Sequence, residues 1–142
     1  MSKTDCTAPE NRREARRWLV IAEEDLDVAG AAARLPRPRH GAAAYHLQQA
    51  AEKLVKSRRV LNGEPFRRVH DLDERVTRLL PICPQFTETL ESLRPLTVWS
   101  VASRYPSLED EPEPPPTAEE VDRYTTMLTR LAVEVASLIG SD

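Results

Sequence analysis

The placement of proline limits what this chain can fold into more than any other feature. Twelve prolines fall at 9, 36, 38, 65, 81, 84, 95, 106, 112 and 114–116 of 142 residues, leaving 10–35, 39–64, 66–80 and 117–142 free of them. A proline inside a helix removes one backbone hydrogen bond and clashes with the preceding turn. Each long proline-free stretch can therefore be one helix, and each proline cluster must be a link. Only four glycines and few β-branched runs argue the same way against sheet.

The proline-free stretches carry helical periodicity. In TAPE, Thr7 stands at an N-cap with Glu10 three residues on and Pro9 in the tolerant first turn. Apolar residues then recur at Ala15, Trp18, Leu19, Ala22, Leu26, Ala29 and Ala33, with Asp25 on the border of the stripe. LPRPRHG, residues 35–41, ends this first helix. A second helix is expected over 39–61 on a stripe of Ala44, Leu47, Ala51, Leu54 and Leu61. Alanines at 42–44, 50 and 51 leave room for a neighbouring helix to approach closely. Gln49 and Lys56 lie nearly opposite that stripe, Glu52 and Lys53 flank them, and Gln48 sits on its border. Arg58 falls where an apolar residue is wanted and is expected to turn outward at the helix end, because burying an unmatched charge is costly. NGEP at 62–65 is the stop.

A short third helix is expected from Asp71 as cap, with Glu74 at the third position and Leu72, Val76, Leu79 and Leu80 as its apolar side. A fourth covers roughly 85–103, with Phe86, Leu90, Leu93, Thr97 and Val101 on one face, kinked or restarted at Pro95 and stopped near Arg104 by Pro106. YPSLEDEPEPPP, residues 105–116, is acidic, proline-rich and expected to be an extended, poorly packed loop. The fifth helix restarts at TAEE, with Thr117 as cap and Glu120 as reciprocal partner. Its stripe is Val121, Tyr124, Leu128, Leu131, Ala132, Val135 and Ile139. Together these predict an all-α, up-and-down antiparallel bundle of four long helices and one short one, spanning 9–140 behind a flexible tail at 1–8.

Charge and composition remove several classes of function. The net charge of −3 excludes a globally basic nucleic-acid binder. The charge is uneven, however: residues 1–80 hold 16 Lys and Arg against 12 Asp and Glu, and residues 81–142 hold 4 against 11. A basic local face on an acidic whole is compatible with that split, and so are arginines that are simply solvated. No apolar run is long enough to span a membrane, and the opening residues lack the apolar core of a signal peptide, so a cytoplasmic location is expected. Cys6 and Cys83 form neither a disulfide framework nor a zinc pattern, and His40, His46 and His70 have no metal-ligand spacing, so no metal or cofactor is expected.

QQAAEK at 48–53, HDL at 70–72, Asp25-Leu26 in the first helix and LTVWSVASRYP at 96–106 occur in an order and spacing that resembles the HEPN domain family. The likeness runs over about residues 14–139 and points to a branch that carries RYP without the nuclease motif. It implies a helical bundle, frequently a homodimer, and partnership with minimal nucleotidyltransferases, often in toxin–antitoxin pairs. Many members are metal-independent ribonucleases that use an arginine, four to six residues, then a histidine on the later part of the bundle. There the arginine would hold the scissile phosphate and the histidine would move the proton of the 2′-hydroxyl. This chain departs from that pattern, because no histidine follows Arg94 or Arg104. The one literal match, Arg34 to His40, spans the double-proline link. Arg58 and Arg59 also stand where relatives tend to have leucine, and Trp99 where they have tyrosine.

No catalytic residue is assigned from the sequence. Arg104 and Tyr105 are candidate ligand contacts, or else a helix C-terminal cap, since an arginine there suits the exposed carbonyls. Gln49, Lys53 and Lys56 could contact a nucleotide, amide to base and ammonium to phosphate, or could be a solvated face. Arg58, Arg59, Arg67 and Arg68 form a candidate phosphate or RNA patch around the turn after the second helix. The expected function is an interaction module that partners a nucleotidyltransferase and binds nucleotide or RNA; the alternative is an atypical ribonuclease toxin.

Overall fold

The computed structural model describes residues 9–63, 91 and 116–140. These contain three helices and no strand: α1 (Pro9–Ala33), α2 (His40–Leu61) and α3 (Ala118–Ile139). The all-α expectation holds for them. The expected third and fourth helices, the 1–8 tail with its Thr7 cap, and the loop from 105 to 115 lie outside the described residues. Pro116, the last residue of that loop, is buried rather than loosely packed.

α3 follows its sequence pattern closely. The Thr117 hydroxyl accepts from the Glu120 N–H at 3.1 Å and the Glu120 carboxylate accepts from the Thr117 N–H at 2.9 Å, so two orphan donors of the first turn are satisfied reciprocally. Val121, Tyr124, Leu128, Leu131, Ala132, Val135 and Ile139 are all buried, one stripe on one side of the helix.

α1 buries Ala15, Leu19, Ala22 and Ala29, with Trp18 and Leu26 partly buried beside them. An alanine at every seventh position keeps the same side of α1 thin, which lets α2 close against it. The contacts step in opposite directions along the two helices. Ser57 meets Ala15, Lys56 meets Trp18, His46 meets Asp25, and the Arg39 N–H donates to the Ala32 carbonyl at the link. The pair is therefore antiparallel, as the short proline-bearing link demands.

α2 has the widest buried surface of the three helices. It packs on both α1 and α3 and buries far more than its predicted stripe, adding Val55, Val60, Gln48, Ser57 and Arg59. Its end is set by Asn62 and Gly63. Gly63 takes φ of 80°, a left-handed conformation that favours glycine, and its N–H donates to the Val60 carbonyl at 2.9 Å. The end of α3 meets the first half of α1, where Arg16 donates to the Gly140 carbonyl at 2.7 Å.

Candidate functional site

Helical spacing puts His46, Gln49, Lys53 and Lys56 on one flank of α2, and packing turns that flank toward α1. His46 Nδ1 lies 2.8 Å from Oδ1 of Asp25, and Lys53 Nζ lies 3.9 Å from Oδ2 of the same carboxylate. Lys53 also donates to Gln49 Oε1 at 3.0 Å. Gln49 donates in turn to Gln48 Oε1 at 2.8 Å, and Gln48 to Glu52 at 2.5 Å. Six side chains thus form one connected polar network along the α1–α2 seam. The Tyr45 ring stands edge-on to the His46 imidazole, 5.2 Å between centroids.

Burial explains why these bonds form. Gln48 is buried and Gln49 and Lys53 are half-buried, so a polar group left unmatched there would bear the cost of lost hydration. Lys56 takes a different route: its ammonium sits 4.2 Å from the centre of the Trp18 ring, a cation–π contact. The sequence pattern set Gln49 and Lys56 opposite the apolar stripe, in water. The structure instead ties Gln49 to Gln48 and Lys53 within α2 and sets Lys56 against Trp18 of α1.

The two arginines at the end of α2 differ. Arg58 is half-buried and donates to the Asn62 side-chain carbonyl, so it turns toward the helix end. Arg59 is buried, which sets it apart from an open phosphate-binding surface. Ser57, not singled out by its sequence, is fully buried and donates to the Ala15 carbonyl at 2.7 Å. Arg104, Tyr105, Arg67 and Arg68 lie outside the described residues. Among the described residues no group of three or more His, Cys, Asp or Glu could hold a metal ion, and no helix is long and apolar enough to cross a membrane.

The meeting of Asp25 with His46 and Lys53 is the part of this arrangement that sequence patterning missed. The only available signal was Asp25 itself, an acid on the border of an apolar stripe, where a buried or half-buried partner is required. A family model described as HEPN domain matches residues 15–135. No curated protein and no solved structure matches the chain.

Proposed function

Since the chain belongs to the HEPN domain family, we propose that it is a cytoplasmic, homodimeric, non-catalytic helical module that partners a minimal nucleotidyltransferase and binds nucleotide or RNA. One observation carries the non-catalytic part. The last histidine of the sequence is His70, so no imidazole follows Arg94 or Arg104 to shuttle the proton that scission of RNA requires.

Arg104 and Tyr105 make the ligand contact in this reading, arginine to phosphate and tyrosine stacking or hydrogen-bonding beside it, with Arg67 and Arg68 adding positive charge. Gln49, Lys53 and Lys56 offer a second polar row, but their present bonds must exchange before a ligand can use them. The test is incubation of the pure protein with RNA, with and without EDTA, alongside calorimetric titration with ATP, GTP and short RNA. The expected outcome is binding that Arg104→Ala weakens with little change in melting temperature, and intact RNA throughout. Reproducible cleavage abolished by Arg104→Ala would establish the ribonuclease alternative. No heat with any ligand would leave a purely structural dimer. Co-expression with a minimal nucleotidyltransferase tests the partner, with a stable co-eluting complex expected.

A further inference from the structure

The exposed face of α1 is charged in a way its own helix disfavours. Arg13 and Arg17 stand one turn apart in its first half, and Glu23 and Asp27 one turn apart in its second; all four are exposed. Like charges at this spacing repel. Glu10 in the first turn suits the helix dipole, but the arginines that follow lie toward the positive end and the acids toward the negative end, with no basic residue in the last turn. Between the two charge blocks, Val20 and Ile21 are 48% and 40% exposed. They border a shallow hollow that is also lined by Arg13, Arg16 and Arg17.

This arrangement is complementary to its own reversed copy. We propose that the exposed face of α1 is a two-fold, antiparallel contact between two copies of this chain, centred between Val20 and Ile21. In an antiparallel helix pair with that centre, Val20 faces the partner's Ile21, Arg17 faces the partner's Glu24, and Arg13 faces the partner's Val28 with the partner's Asp27 beside it. Every contact occurs twice, as two-fold symmetry demands. The two arginines that repel in an isolated α1 gain Glu24 and Asp27 of the other copy across the contact, and the exposed valines and isoleucine leave water. Val28, 45% exposed, extends the apolar part beneath each arginine stem. One helix face is small for a protein interface, so the association is of the weaker, salt-sensitive kind.

The inference rests on the self-association proposed above and gives it a surface. The experiment is sedimentation equilibrium of the full chain at low and high salt, for the wild type, Arg17→Glu, Glu24→Arg and the double exchange. Both positions are exposed, so melting curves should stay close to wild type. The wild type is expected to dimerise, more weakly at high salt. Each single variant replaces two attractive pairs with two repulsive ones and should weaken the dimer by about tenfold or more. The double exchange should recover most of that loss. A wild type that stays monomeric overturns both the surface and self-association itself. A dimer indifferent to the single exchanges overturns the surface alone, and so does a double variant that fails to recover.

Discussion

His46 Nδ1 and Asp25 Oδ1 stand 2.8 Å apart across the seam of two helices, joining residues 21 positions apart in the chain. The pair fastens the middle of α2 to the middle of α1, where the backbones make no hydrogen bonds to each other. Both side chains are partly shielded, at 30% and 17% exposure, so solvent competes with this hydrogen bond less than with one on the open surface.

The first prediction follows from that pair. Asp25→Ala and His46→Ala should each lower stability by roughly 0.5–1.5 kcal/mol, with Asp25→Ala the larger because it also releases Lys53. In urea denaturation the double variant should cost clearly less than the sum of the singles, since each single already breaks the shared bond. Strict additivity would mean that the two side chains do not interact in solution.

Ser57 makes a buried bond of a simpler kind. Its hydroxyl donates to a main-chain carbonyl of α1, and the residue is fully buried. Ser57→Ala should destabilise by about 1 kcal/mol, the ordinary worth of one such bond. Ser57→Val should cost more, because one methyl replaces the hydroxyl and a second must enter space already filled by α1. If the valine variant melts above wild type, the close approach of α1 and α2 at Ala15 is wrong.

How much of this could be read from the residues alone depends on how many sides of a helix are covered. α3 has one buried side, so its seven-residue stripe from Val121 to Ile139 was legible in full, as was the Thr117–Glu120 cap. α2 is covered on more than one side, and a single stripe cannot describe it. Val55 and Val60 therefore joined the core unannounced, and Gln48, Ser57 and Arg59 went inside although they are polar or charged. Gln48 is met inside its own helix, by Glu52 and Gln49. Ser57 is met by the Ala15 carbonyl of α1, which only the tertiary pairing of α1 with α2 brings within reach.

The cap of α3 provides a local prediction that is independent of the network. Thr117→Ala removes the acceptor of the Glu120 N–H and should cost about 1 kcal/mol; Thr117→Asn or Thr117→Asp should retain most of the stability. Glu120→Ala leaves the hydroxyl bond in place and should cost less than Thr117→Ala. Hydrogen exchange should show the loss first at the opening turn of α3. Equal protection there in the alanine variant would mean the cap contributes nothing in solution.

Leu54 separates the core face of α2 from its polar flank. It has no exposed surface, while Lys53 beside it is half-buried in the network and reaches Asp25. Leu54→Ala should therefore cost about 2–5 kcal/mol, through lost burial plus the cavity left between the helices. Leu54→Asp places an unmatched carboxylate in that space and should leave the chain unfolded. Lys53→Met, one position earlier, should be tolerated far better, since its stem packs as before and only the charge contact and the bond to Gln49 are lost. Circular dichroism melting of the three variants reads the difference directly. A cooperative, near-normal transition for Leu54→Asp would require α2 to be rotated about its axis from the register described, and with it the whole row from His46 to Lys56.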